Sequence, residues 1–511
     1  MANQTLSDAY RYISTENLQF TRNRDRWTFL WESYMGGEVY RRAGNLVRYA
    51  LESDTEYQAR LINTPLDNHC QSVISVYTSF LFREPPYREL TGIESDLTDD
   101  FLRDCDFDGR SFTNFMKDVS VWASVFGHCW VLMTKPDINA QTEAEQRAAG
   151  IRPYVSLLTP LVVLDWKWSR QNNGRYDLTY FKYIEDVNEN IITVREWTTD
   201  SITTWEQDNE NMEARLVLEE DNPLGLIPAI PVYNKKSQIR GIGIGDIDDI
   251  ADQQRAIYNE LSEIEQSIRL EGHPSLVKTP ETETGSGAGA IIHMPENLDP
   301  GLKPYMLKSD STPVDMIYTS INNRVDAIDK MANTGGIRAT ESRTLSGIAL
   351  ETEFQLLNAR LSEKSAQLSL AEEQIWKLWA IYQGKYWQGY IEYASSFNIR
   401  DDNREIDKLL SAKNVATDSA IVELIDEKLV RVLGHDPKEV LQGEDAPRTY
   451  DDGEIIPENL PAAYQKSSNP QVPENQQCSN CVFYDKLSAK CNFWDATVRP
   501  QHWCASWSDQ E

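Results

Sequence analysis

The sequence has little with which to grip an anion or cross a membrane. Lysine and arginine number 50 against 80 aspartates and glutamates, giving a net charge of −30 and a pI near 4.6. A chain this acidic does not hold nucleic acid tightly through its bulk field, because phosphate contacts are made by cationic side chains. That counts against a repressor or polymerase and leaves room for a surface that lets DNA pass without gripping it; solubility alone is the plainer reading. The six histidines, His69, His128, His273, His293, His435 and His502, are scattered, and each reads as a surface or core residue rather than a general base. The opening MANQTLSDAYRYISTENLQF lacks a basic end followed by an apolar run, so no signal peptide is expected. The longest apolar stretch, Val119 to Met133, is interrupted by Ser, Gly and His128 and is too short and polar to span a bilayer. A soluble protein made in a cytosol is expected. The patterns G-x-x-x-x-G-K-[ST], G-x-S-x-G and H-E-x-x-H are all missing. Seven cysteines in a reducing compartment do not suggest a disulfide framework.

What is present is enough apolar surface for more than one core. A chain of 511 residues exceeds a single compact core, and 14 Trp with 23 Tyr exclude global disorder. Residues 1–135 read as mostly helical, with Leu66, Cys70, Val73, Val76 and Phe80 at helical spacing after a break near Pro65. A helix turning into a buried strand is expected across Gly127. Residues 153–233 alternate apolar and polar positions, are rich in Thr, Ile, Val and Trp, and predict a β-meander. Then Ile247, Ile250, Ile257, Leu261, Ile264 and Ile268 repeat at three, four and seven, predicting an amphipathic helix from about 245 to 271. Residues 274–312, broken by five prolines and GSGAG, predict an irregular excursion. A second helix follows, ended by Gly335-Gly336, then a polar loop. A longer helix runs from about Ile348 to Gln383 on the stripe Leu350, Phe354, Leu357, Leu361, Leu368, Ile375 and Trp379. Further helices are expected in 403–443 and a linker in 444–477; no internal repeat is visible. GIGIGD at 241–246 has neither the preceding strand nor the final x-x-G of a dinucleotide fingerprint, and reads as a flexible helix entry.

The segments GIGIGDIDDIADQQRAIYNELSEIEQSI with GHPSL, TSINNRVDAIDKMANTGG, and TLSGIALETEFQLLNARLSEKSAQLSLAEEQIWKLW, in that order, resemble the phage portal family. The resemblance covers roughly residues 20–440. It implies an α+β, mainly helical fold: a wing region at 1–243, a stem helix at 244–272, a clip at 273–312 and a second stem helix at 313–335. A tunnel loop at 336–347, a long wing helix at 348–385, a crown at 386–447 and a linker at 448–476 follow. It implies a homo-oligomer, with twelve copies, at one capsid vertex of a virion assembled in the host cytoplasm. Double-stranded DNA passes through such a ring during packaging and ejection. The terminase large subunit, head–tail adaptor proteins and the major capsid protein are its partners; no membrane and no catalysis are implied. Asp246, Asp249, Glu260 and Glu263 are expected on the polar side of the stem helix, flanked by Asp248, Asp252 and Glu265, where rings of carboxylates hold DNA off the wall. A solvated helix face is the plainer reading. Arg338 and Arg343 in the tunnel loop are candidates for brief phosphate contacts, or for pairing with Glu341 or a neighbouring subunit. An iron–sulfur or zinc-containing redox or nucleic-acid enzyme, and another minor virion protein, are the alternatives.

Four of the seven cysteines fall in residues 477–511, as C-x₂-C-x₉-C-x₁₂-C: Cys478, Cys481, Cys491 and Cys504. Four thiolates at this spacing can close a metal site, and a segment so small lacks a core of its own. C-x-x-C followed by Phe483 and Tyr484, then Cys491 with Phe493, then Trp503-Cys504 with Trp507, resembles the cluster-binding end of high-potential iron–sulfur proteins. That resemblance covers about 34 residues and lacks the family's longer N-terminal part. It implies that the four cysteines hold a [4Fe–4S] cluster and that Phe483, Tyr484, Phe493, Trp494, Trp503 and Trp507 exclude water from it. A structural Zn²⁺ site and a pair of disulfides are the alternatives.

Overall fold

The computed structural model describes residues 8–508 apart from 137–149, 273–274, 279, 281–282, 285–291, 295, 298, 308–311, 339–346, 396, 398–405, 407–408, 414–418, 433–449, 451–455, 458, 462–463, 469–471 and 474. The chain folds as two units, residues 1–398 and residues 399–511. Helix and sheet are mixed throughout. Among the described residues, no helix is long and apolar enough to cross a membrane.

The first unit opens with helices, of which α1 (Leu18–Met35) and α2 (His69–Leu81) matter most. Asn17 caps α1 by accepting from the Gln19 amide, and Asn68 caps α2 by accepting from the Gln71 amide. The buried face of α2 is Cys70, Val73, Ile74, Tyr77 and Leu81, set by helical periodicity. Helix α3 (Phe112–Phe126), capped by Ser111, ends at Gly127 in the left-handed region (φ 85°), and β1 (His128–Thr134) starts at once, buried at all seven positions.

Strand β1 is the centre of an antiparallel three-stranded sheet, between β2 (Tyr154–Leu158) and a later strand, Ala229–Tyr233. A central strand has neighbours on both edges and protein on both faces, which is why it reads as a continuous apolar run. The meander intervenes: β3 (Val163–Arg170), β4 (Tyr176–Asn188), β5 (Ile191–Thr198), β6 (Ser201–Asp208) and β7 (Glu213–Asp221), antiparallel in chain order. Trp130 of β1 lies 4.9 Å from Phe181 of β4 and 6.1 Å from Trp166 of β3, ring centre to ring centre, and joins the two sheets. β8 is Ala229–Tyr233.

Next come α4 (Ile250–Gly272) and α5 (Thr312–Ala332). They run antiparallel: Arg324 of α5 donates to Glu260 (2.9 Å) and Gln253 (3.0 Å) of α4, and Ser320, one turn earlier, also donates to Glu260 (2.9 Å). Between them Ser275–Val277 pairs with Tyr305–Leu307 and Glu283–Thr284 pairs with Ile292–His293, both antiparallel. The Pro-broken excursion thus carries nested strand pairs, whose two or three residues are too short to show a period of two. Helix α5 stops at Asn333 (φ 56°), and Gly335–Gly336 begin a further helical turn, Gly335–Arg338, instead of ending α5. Helix α6 (Gly347–Tyr382) buries Leu357, Leu361, Leu368, Ile375 and Trp379. Residues after it return to the first unit. Ile391–Glu392 pairs with Tyr87–Arg88, and Trp387, Ile391, Tyr393 and Phe397 join the main core.

In the second unit the described residues include a helix, Ser419–Val432, and a small β-rich region around residues 450–508.

Candidate functional site

Two places concentrate chemistry-bearing side chains. The first is the root of α4. The glycines before it are set by close backbone approach: a Cβ on Gly243 would lie 1.9 Å from the carbonyl oxygen of Gly127. Gly243–Ile244 also pairs with Lys235–Lys236. GIGIG is therefore a tight crossing between the end of α3 and the chain entering α4, rather than a flexible entry. Beneath the crossing, His128 is fully buried, edge-on to Trp27 at 5.6 Å, and its Nδ1 accepts from the Gly243 amide at 3.4 Å. Burial pushes its imidazole down to about 3, so it stays neutral.

Asp246 lies just before α4, not on its polar side as expected, and it is buried. Its carboxylate accepts from Lys364 Nζ (2.5 Å), Arg360 (3.0 Å) and Asn234 (3.1 Å), while Lys364 also donates to Ser124 (2.9 Å). Burial works against its charge, but Lys364, Arg360 and the Asn234 amide outweigh it and hold the carboxyl below its ordinary range. Burial likewise pulls the Lys364 ammonium down, against the attraction of Asp246. Two cations and an amide around one carboxylate make a structural clamp between α3, β8, α4 and α6.

The other stem carboxylates divide into paired and open. Glu260 faces α5, held by Arg324 and Ser320, and Glu263 accepts from the Tyr49 hydroxyl at 2.5 Å. Asp248 accepts from the Gly245 amide, and Asp252 pairs with Arg26 and Arg255, each at 3.0 Å. Asp249 is exposed. Asp246, Asp248, Asp252, Glu260 and Glu263 thus each have a partner within the chain. The stripe below them is buried from Ile247 to Ile264, but Ile268 is half exposed. Arg338 lies in the short turn Gly335–Arg338; Arg343 lies outside the described residues.

The second place is in the second unit. Cys478 opens a turn, Cys478–Asn480, and Cys481 closes it, its amide donating to the Cys478 carbonyl at 3.1 Å. Cys491 sits mid-sheet, opposite Tyr484 on one side and Ala496 on the other. Cys504 follows His502–Trp503, which pairs with Gln465–Lys466. All four are buried, none is in a disulfide, and all four line one pocket. Phe483, Tyr484, Phe493, Trp494 and Trp507 complete its wall with Val498 and Ser506. Trp503, expected in this shell, is not in the wall; its indole donates to Gln476 at 2.8 Å. Val498 takes a place that no aromatic spacing would have indicated. Burial and the three neighbouring sulfurs push the Cys478 thiol up to about 12, so without a cation Cys478 keeps its proton. Among the described residues, no three His, Cys, Asp or Glu side chains converge as ligands of a single ion.

The family described as "Phage portal protein, SPP1 Gp6-like" matches residues 19–407. No curated protein matches the sequence. The fold is similar to a chain in the neck of an empty gene transfer agent particle, computed with C6 symmetry, with a TM-score of 0.43 and 12% identity over 77% of this chain and 99% of that one. A chain from the virion of the native gene transfer agent particle gives a TM-score of 0.41 and 12% identity over 76% of this chain and 98% of that one.

Proposed function

The chain belongs to the SPP1 Gp6-like phage portal protein family, and on that premise we propose that it is one subunit of a ring at the head–tail vertex of a phage-like particle, serving as a conduit for double-stranded DNA. The observation that carries this reading is the antiparallel pair α4–α5 with its nested-strand excursion, leading through Gly335–Arg338 into α6, all inside the matched residues 19–407. In this reading α4 and α5 are the stem and the excursion is the docking tip for the terminase large subunit and head–tail adaptors. The tunnel loop that the resemblance implies at 336–347, of which 339–346 lie outside the described residues, is the part proposed to meet the duplex, and the major capsid protein surrounds the outer region. Twelve copies is the number that the portal resemblance implies.

Net charge supports a conduit over a clamp. At −30 per chain, a ring repels the phosphate backbone on average, so DNA slides with small barriers instead of binding. With most stem carboxylates paired, that repulsion comes from the overall surface, to which the exposed Asp249 contributes. No catalytic residue is assigned to the chain, and the motor that drives DNA is a partner's. Electron microscopy of the purified full chain tests this. Rings with a central hole of about duplex width support it, and compact monomers or dimers overturn it.

A further inference from the structure

The portal reading absorbs residues 19–407 and leaves the four-cysteine pocket unexplained. Its surroundings narrow the choice of occupant. A single zinc ion draws four sulfurs onto one point at about 2.3 Å each, so that they stand within about 4 Å of one another. The four sulfurs here line one pocket whose remaining wall, Ser506 apart, is apolar and aromatic. A cubane cluster sits in such a pocket with one sulfur at each of four corners. The aromatic wall supplies the dry surroundings that such a cluster requires.

The same pocket is also the core of its region. The buried cluster here consists of Tyr450, Leu460, Tyr464, Cys478, Cys491, Ala496, Val498 and Cys504, so three of its eight members are cysteines. The strands around it, such as Tyr484–Asp485, Lys490–Cys491 and Ala496–Thr497, are two residues long. Strands this short over a core this small do not hold themselves together, and a bound centre that folds the segment around itself would make up the deficit.

One neighbour is placed to tune the centre. Trp494 lines the pocket, and its buried indole N–H finds no hydrogen-bond partner among the described residues. We infer that Cys478, Cys481, Cys491 and Cys504 ligate one [4Fe–4S] cluster that holds residues 450–508 folded, and that the Trp494 indole donates to one of its ligating sulfurs. Each thiol gives up its proton on ligation. A hydrogen bond to a ligating sulfur favours the more negative, reduced cluster and so raises its potential.

The test uses the full chain, produced anaerobically with iron supplied. Expected are about four irons and four acid-labile sulfides per chain, with broad visible absorbance that bleaches on reduction. Cys491→Ser loses the iron and makes residues 450–508 sensitive to protease, whereas Cys70→Ser, in the other unit, keeps both iron and protection. To separate ligand loss from misfolding of Cys491→Ser, wild-type chain stripped with a chelator is also refilled with ferrous iron and sulfide; recovery of colour and protease resistance together is the expected result. Trp494→Phe keeps its iron, and its midpoint potential falls. One zinc per chain without visible absorbance overturns the cluster, as does metal-free protein whose segment resists protease equally in wild type and Cys491→Ser. An unchanged potential in Trp494→Phe overturns the donor role. Rings that contain no iron would leave the conduit reading standing and remove this one, and iron in a monomer would do the reverse.

Discussion

The two units solve the problem of making a core in opposite ways. Residues 1–398 bury long runs of patterned apolar side chains, Trp130, Phe181, Ile257, Leu361 and Trp379 among them, and bury charge where it has partners, as at Asp246. In residues 450–508 the buried cluster is small and gathers around sulfur. A core made by periodicity is stable as an apolar assembly and is damaged at single points. A core made of ligands is present or absent as a whole.

The largest break in that comparison should come from removing the centre. A chelator that strips the cluster is expected to abolish protease resistance in residues 450–508 while leaving the thermal unfolding of the first unit in place, followed by limited proteolysis and calorimetry on one sample. Lys364→Met should do the converse. It leaves Asp246 buried with only part of its countercharge, which costs about 3–5 kcal/mol in denaturant unfolding of the first unit, with iron content unchanged. Next in size is a pH effect. His128 is held down to about 3 in the folded chain against an ordinary value of 6.5, so below 6.5 the unfolded state takes up a proton that the folded state refuses. Stability of the first unit should then be flat above 6.5 and fall by up to about 1.4 kcal/mol per pH unit as pH drops toward 3; His128→Phe, if it packs, should lessen that slope. The smallest effect is expected from Arg215→Ala on the open strand β7, whose partner is Glu206: under about 1 kcal/mol, since both groups are in contact with water.

Much of the first unit was legible because its elements are long. The stripe from Ile247 to Ile264 and the one from Leu357 to Trp379 each repeat often enough to fix a helix and its buried face, and the alternation in 163–221 fixes strands. What failed were features decided by distant partners. Asp246 reads as one more acidic residue at the head of an acidic helix, because Arg360 and Lys364 lie 114 and 118 positions away. GIGIG reads as flexible because nothing local shows Gly127 pressed against Gly243. Ile268 continues a periodic pattern past the point where neighbours remain to cover it. In the cysteine segment the spacing marked the four sulfurs, since ligand chemistry is local, but it did not separate Trp503 from Val498. In a chain of turns and two-residue strands, no regular period tells which side chain faces inward.

The clamp at Asp246 has a further consequence, for how the first unit opens. Its backbone amide donates to the Ser124 carbonyl at 2.8 Å, and its side chain joins groups from β8's end and α6. No one of these segments can fray without stripping the charge from the others. The amides around Asp246, Ser124 and Lys364 should therefore exchange with deuterium at one common rate, that of global opening, while those of the short pair Ser275–Val277 with Tyr305–Leu307 exchange faster and independently.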